Sequence, residues 1–233
     1  MKRKTNISGW KESLKNALEL PLPGEKAQNL MAPSIRYTGD GIPDKSLARD
    51  SSVLILIYPH FLRLYIPFIQ RPDYQGAHGG QISLPGGKCE TCDSSNWETA
   101  LRETREELGI DTSDVEYMGV LTPLYIPNSN FIVHPYVGYL PRQPIFNPSA
   151  FEVKEVLEFS IQTLFKEADS RNIVTKRVNG HEIQAPCFES EGSRIWGATA
   201  MILSELNVIF RKNLPRWANA LHSYNAHISQ ESP

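Results

Sequence analysis

The chain has 233 residues, 40% of them hydrophobic and 21% charged, with a formal net charge of −2. That length allows one large domain or two small ones with a sizeable core, and the composition is ordinary for a globular protein. A near-neutral balance supplies no basic field for nucleic acid or an anionic membrane, and no apolar run reaches the roughly 18 residues that a bilayer span needs.

The basic N-terminus lacks the continuous apolar segment of a secretory signal, and the ending HISQESP matches no lipidation or retention signal. Three cysteines cannot close into a disulfide set, so a reducing cytoplasmic compartment is expected. Cys89 and Cys92 have C-x-x-C spacing, but only Cys187 and scattered histidines remain to complete a zinc site. They read as loop cysteines.

In chain order, Ile7, Trp10, Leu14, Ala17 and Leu18 recur at helical spacing, which predicts a helix over residues 7–20 ended by Pro21, Pro23 and Gly24. A polar segment punctuated by proline and glycine runs to about Asp50 and reads as an arm over the domain. Residues 52–58 and 62–70 are rich in β-branched and aromatic side chains and predict a hairpin. A turn-rich stretch then leads to ISLPGG and a helix over residues 96–109. Strands are expected over 115–121 and 131–140, separated by a TPLYIPNSN loop, and over 155–161, which runs into a short helix. Asn179-Gly180 is the strongest hairpin signal in the chain, between strands at 172–178 and 181–186. The apolar run 194–210 predicts a long closing helix. Together these give a single mixed α/β domain of the α+β kind, with a mixed β-sheet sandwiched between helices. Residues 1–50 form its helix and arm, 51–212 the domain and 213–233 a polar tail.

The central helix carries the chemistry. Trp97, Leu101, Thr104 and Leu108 fall on one stripe, and Glu103, Glu106 and Glu107 cluster on the other side at i, i+3 and i+4. Three carboxylates so placed can share hard divalent cations. Glu106 and Glu107 could equally be a solvated face paired with Arg102 and Arg105. The preceding Gly86-Gly87 pair favours the metal, because glycines let the backbone approach a ligand and their carbonyls can join a metal shell. The expected ions are Mg²⁺ or Mn²⁺, held against a phosphate.

The stretch from Gly87 to Ile110 resembles the Nudix box, G-x5-E-x7-R-E-U-x-E-E-x-G-U with U aliphatic, matching at Gly87, Arg102, Glu103, Glu106, Glu107, Gly109 and Ile110. Asp93 stands at the first acidic position, eight residues rather than seven separate it from Arg102, and Thr104 occupies the first aliphatic position. The resemblance implies a Nudix hydrolase with Gly87, Glu103, Glu106 and Glu107 at the metal and Arg102 bracing the helix. Glu152 and Glu155 are then candidates for a further catalytic acid outside the box.

Upstream, Arg71, Gly80, Pro85-Gly86-Gly87 and the His78-x-Gly80-Gln81 pattern resemble the motif of coenzyme A pyrophosphatases. Gly76 replaces its second Arg, Pro72 its Ser and Leu84 its Phe, and the likeness extends over about residues 15–210. It implies substrate contacts at Arg71, His78 and Lys88, and a small-molecule nucleoside diphosphate-X substrate, coenzyme A first. The implied reaction is Mg²⁺-dependent cleavage of coenzyme A or acyl-coenzyme A to adenosine 3′,5′-bisphosphate and (acyl-)4′-phosphopantetheine. Hydrolysis of ADP-ribose or (deoxy)nucleoside triphosphates is the alternative. A catalytically inactive nucleotide sensor is a third, but retention of Glu103, Glu106 and Glu107 argues against it. No nucleic-acid or membrane partner is expected, and the residues leave the oligomeric state open, a homodimer included.

Overall fold

The computed structural model of the protein describes residues 9–39, 43–61, 63–72, 80–166, 172–178 and 180–213. Ile7, Gly76, His78, Asn179 and the polar tail lie outside them. The first half of the chain forms α1 (Gly9–Glu19), α2 (Glu25–Gln28), β1 (Arg49–His60), β2 (Arg63–Gln70), β3 (Ile82–Ser83), β4 (Gly86–Lys88) and α3 (Asn96–Leu108). Then follow β5 (Glu116–Val120), β6 (Leu124–Ile126), β7 (Phe131–Tyr139), β8 (Glu155–Ser160), α4 (Ile161–Lys166), β9 (Asn172–Val178), β10 (His181–Ser190), β11 (Ser193–Trp196) and α5 (Gly197–Asn213).

The apolar run LILIY makes β1 the central strand. Leu54 through Tyr58 are all 0% exposed, as a strand covered on both faces requires. β1 forms the expected antiparallel hairpin with β2, and on its other edge it runs parallel to β7, from Arg49↔Phe131 to Ile57↔Tyr139. β2 extends the sheet through β8 and β3, and β7 through β5 and β6. β4 pairs with the start of β1, placing Gly86 opposite Val53 and Gly87 opposite Ser52.

Because side chains alternate along a strand, β1 feeds two cores. Leu54, Leu56 and Tyr58 pack with Ala100 and Leu108 of α3. Ile55 and Ile57 face the other way, into a cluster with Leu14 of α1, Leu164 of α4 and Leu206 of α5. The mixed sheet is therefore sandwiched between helices, as expected. A separate three-stranded antiparallel sheet, β11-β10-β9, packs beside α5.

Three expectations need correction. The segment predicted as a loop between two strands contains β6, whose Leu124 and Ile126 pair with Val133 and Phe131 of β7. The closing helix begins at Gly197 rather than residue 194, since Ser193–Trp196 is a strand with Trp196 opposite Cys187. A short apolar run has the same composition in a buried strand as in a buried helix, and here the available cross-strand partner decides. β10 also continues to Ser190, past the expected end at 186, to meet β11. Among the described residues no helix is long and apolar enough to cross a membrane.

Candidate active site

α3 is fixed at both ends by its own sequence. Ser95 caps the N-terminus by accepting from the Glu98 N–H at 3.2 Å, and Gly109 closes the C-terminus with its N–H on the Arg105 carbonyl at 2.9 Å. Past that cap the chain folds back over the helix end. The Asn147 N–H donates to the Leu108 carbonyl at 2.9 Å and the Ser149 N–H to the Glu107 carbonyl at 3.1 Å. This return carries Glu152 to the cleft beside α3.

The glycine pair sets how closely α3 and β4 approach. Gly86 has φ of 152°, and a Cβ there would lie 2.3 Å from the Ser52 carbonyl oxygen. A Cβ on Gly87 would lie 2.5 Å from the Glu103 carboxylate. Only glycines let this strand lie under the acids.

Arg71, Gly87, Lys88, Glu103, Glu107 and Glu152 line one cleft of about 350 Å³. Glu107 is 3% exposed and accepts from the Gly86 N–H at 2.8 Å, with the Arg71 guanidinium 3.4 Å away. Burial pushes its carboxyl up to about 7. The Gly86 N–H and Arg71 only partly oppose this, while Glu103 and Glu152 add repulsion. Burial likewise raises Glu103, against the pull of Arg102. Acids held with so little compensating charge suit a hard, oxygen-ligated cation. As the side chains stand, no three acidic, cysteine or histidine groups among the described residues surround one metal position.

Arg102 explains part of that arrangement. Its Nε and Nη2 donate to the two Asp93 oxygens at 2.8 and 3.0 Å. Nη1 reaches Glu103 at 3.0 Å and Glu106 at 2.9 Å, and Nη2 also meets the Lys88 carbonyl at 3.1 Å. The guanidinium thus ties β4 to α3 and turns Glu103 and Glu106 towards itself. Glu106 is half exposed, on the outer side of this brace.

Not every expected residue converges. Glu155 starts β8 opposite Gln70 and lines a different hollow, with Leu157, Lys176 and Trp196. It is not at the acid cleft, because β8 leaves the cleft as it pairs with β2. His78 lies outside the described residues. The alternative of a solvated Glu106–Glu107 face does not hold for Glu107, which is buried where the β4 glycines cover it.

Residues 49–177, more than half of the chain, match the NUDIX domain. The chain belongs to the Nudix family. The mitochondrial coenzyme A diphosphatase NUDT8 of Homo sapiens is 35% identical to it over 128 residues, 54% of this chain and 54% of that protein. The peroxisomal coenzyme A diphosphatase NUDT7 of Mus musculus is 37% identical over 105 residues, 45% of this chain and 44% of that protein. The uncharacterized Nudix hydrolase NudL of Yersinia enterocolitica is 35% identical over 159 residues, 63% of this chain and 80% of that protein. The chain spans about half the length of the two diphosphatases it matches. A solved Nudix hydrolase from M. smegmatis, RenU, aligns over 70% of this chain and 87% of that one, with a TM-score of 0.46 and 13% identity.

The departures in this chain's Nudix box have local explanations. Asp93 does not line the cleft. Besides Arg102 it accepts from the Glu90 N–H and the Thr99 hydroxyl, both at 2.9 Å. Arg102 and these donors hold its carboxyl well below the usual carboxylate range. A shorter acid after a longer spacer still reaches the box arginine, so Asp93 serves as a brace. Thr104 is 0% exposed at the first aliphatic position, and its hydroxyl donates to the Ala100 carbonyl at 2.7 Å. Its one polar atom is satisfied within the helix, so it packs as an aliphatic side chain would. Sequence reasoning missed the bond between Arg71 and Glu107, because the two residues are 36 positions apart and meet only through β4.

Proposed function

We propose that this Nudix chain is a divalent-metal-dependent diphosphatase that cleaves coenzyme A or an acyl derivative. The products are adenosine 3′,5′-bisphosphate and (acyl-)4′-phosphopantetheine. The observation that carries the reading is the cleft itself, with Glu107 buried and Glu103 part-buried against Gly86-Gly87, and Arg71 and Lys88 on the same wall. The two relatives that bear the name coenzyme A diphosphatase support the choice of substrate.

Glu103, Glu106 and Glu107, with the Gly87 carbonyl, would hold Mg²⁺ or Mn²⁺. When bound, the metal supplies charge neutralisation on the diphosphate oxygens and a more acidic attacking water. Arg71 and Lys88 orient the diphosphate, Arg71 with bidentate geometry and Lys88 as a point charge. Glu152, exposed on the same cleft as Glu103 and Glu107, would accept the proton of the attacking water. Arg102, bonded to Asp93 and to the Lys88 carbonyl, braces α3 against β4. A reducing compartment such as the cytoplasm accompanies this reading, and Cys89, Cys92 and Cys187 are all free thiols.

The test is a substrate panel at millimolar Mg²⁺ with product analysis in ¹⁸O-labelled water. Formation of adenosine 3′,5′-bisphosphate from coenzyme A is expected, with label on one identified phosphorus. Turnover of ADP-ribose or nucleoside triphosphates, with coenzyme A untouched, would replace the substrate. Nucleotide binding without any product would favour the sensor.

A further inference from the structure

Phe151 is 94% exposed, the most exposed of the large hydrophobic side chains described. It stands beside Glu152 on the acid cleft, and among the residues that line this cleft only Phe151 and Pro72 are apolar beyond the glycines. Ile145 and Phe61 are nearly as exposed, but neither lines the cleft, and the Phe61 ring meets the His60 ring edge-on at 4.2 Å. Among the described residues the Phe151 ring has no aromatic or cationic neighbour. The other rings near the glycine pair are engaged. Tyr125, Phe131 and Trp196 border an adjoining pocket that shares Arg71, Gly86, Gly87 and Lys88 with the cleft. The Lys45 ammonium stands 5.4 Å from the Tyr125 ring centre and the Arg49 guanidinium 4.2 Å from that of Phe131. Trp196 packs on buried Val174, Ala185 and Cys187.

The backbone that carries Phe151 is tied on both sides. Before it, the Ser149 N–H donates to the Glu107 carbonyl, and the Ser149 carbonyl accepts from the Glu152 and Val153 N–H groups at 3.2 and 2.9 Å. After it, Val153 is buried and the Lys154 N–H donates to the Gln70 carbonyl of β2 at 2.9 Å. The same turn that brings Glu152 to the cleft therefore holds a phenyl ring at its lip. A ligand that meets this ring has only the side chain, and not the turn, to order.

Resting on the diphosphatase reading, we propose that Phe151 is the platform for the nucleobase of the substrate. With the diphosphate held at Gly86-Gly87, the base lies flat on this ring at the lip of the acid cleft. A nucleobase offers a flat face of about the size of the ring, and stacking takes both faces out of water. The chain-like half of a coenzyme A substrate has no such face. Stacking reads the face of a base and not its edge, so Phe151 fixes where the nucleoside lies without choosing among purines.

The two product halves, adenosine 3′,5′-bisphosphate and 4′-phosphopantetheine, are titrated as inhibitors of coenzyme A hydrolysis by the wild type and three variants. Phe151→Ala is expected to weaken the nucleotide roughly tenfold, within the range of base–aromatic stacking, and to leave 4′-phosphopantetheine as it was. Phe151→Leu keeps apolar bulk without an aromatic face and is expected to follow Phe151→Ala. Phe151→Trp is expected to bind the nucleotide at least as well as the wild type. Its added indole fluorescence, read against the wild type, should be quenched by adenosine 3′,5′-bisphosphate without any turnover. Unchanged nucleotide affinity in Phe151→Ala, full rescue by Phe151→Leu, or weakening of 4′-phosphopantetheine instead would overturn the assignment. So would variants whose one effect is to turn a dimer into a monomer, which would make the ring a contact between copies. If ADP-ribose is cleaved and coenzyme A is not, the coenzyme A reading falls alone, and the same variants are read with ADP-ribose and AMP. If no diphosphate is cleaved, the diphosphatase reading falls, and the fluorescence titration still decides whether a base meets this ring.

Discussion

Glu107 and Glu106 are neighbours in sequence with opposite circumstances, and each makes its own prediction. Glu106 is 52% exposed at its side chain and, among the described residues, paired with Arg102, so Glu106→Gln removes charge from the proposed metal site without disturbing the core. We expect kcat to fall by roughly 10²–10³-fold with the melting temperature unchanged, read from steady-state kinetics and a thermal scan. Near-wild-type turnover would remove Glu106 from the metal site. Glu107 is buried, and its carboxyl is raised from an ordinary 4.5 to about 7. Between these values the folded chain binds more protons than the unfolded one, so stability falls as pH rises through that window. The metal-free protein is therefore expected to lose on the order of 3 kcal/mol between pH 4.5 and 7 from this group. Denaturant titrations at a series of pH values check it, and Glu107→Gln should flatten the slope. Asp93 acts in the opposite sense, contributing stability above the usual carboxylate range that is lost as pH falls below about 4. At this scale the three glutamates were legible because helical spacing puts them on one side, and Arg102 and the glycine pair because they stand at fixed places in the box. The burial of Glu107 was not, because its cover is the backbone of β4.

Two elements make the site, the helix α3 and the strand β4, and Arg102 joins them. Asp93→Ala removes the partner of two guanidinium bonds and leaves the side chain of Arg102, 14% exposed, with two acids of the proposed metal site. Breaking a part-buried pair of this kind is expected to cost about 2–4 kcal/mol in urea denaturation, with KM for the metal rising as Glu103 and Glu106 turn towards the freed cation. An unchanged metal dependence would show that the brace is only structural. Gly87→Ala tests the approach of the strand to the helix. The added Cβ would stand 2.5 Å from the Glu103 carboxylate, so Glu103 must move. Activity is expected to fall roughly 10²-fold or more, from displacement of a group that must be held to a fraction of an ångström. Retention of activity would mean that Glu103 already stands elsewhere in the working site. Elements of this kind were read correctly where the pattern had only one solution, as for α3 with its Ser95 and Gly109 caps. Ser193–Trp196 and Leu124–Ile126 were misread because an apolar run becomes a strand only when an edge lies beside it, and those edges belong to β10 and β7.

Across the whole molecule, one buried carboxylate links distant parts. Glu205 gathers bonds from the arm and from Thr122, with Gly24 as far as 181 positions away. Glu205→Ala leaves the Gly24 and Thr122 donors and the Gln28 amide without their acceptor, at a cost of about 2–4 kcal/mol. The expected signature is earlier proteolytic cleavage of the arm, while the arm of the wild type resists. Sequence by itself determined the layered α/β architecture, the first hairpin and the acid-bearing helix, because alternation along strands and periodicity along helices are local properties of the chain. The candidate metal-holding acids and the Nudix family were legible for the same reason, being written within about two dozen consecutive residues. Only tertiary structure decided that Glu152 reaches the cleft while Glu155 does not, that Asp93 is a brace, and that the arm is tied to α5 through Glu205. Those depend on contacts between residues far apart in the chain, which no periodicity encodes and which form only when the sheet brings its edges together.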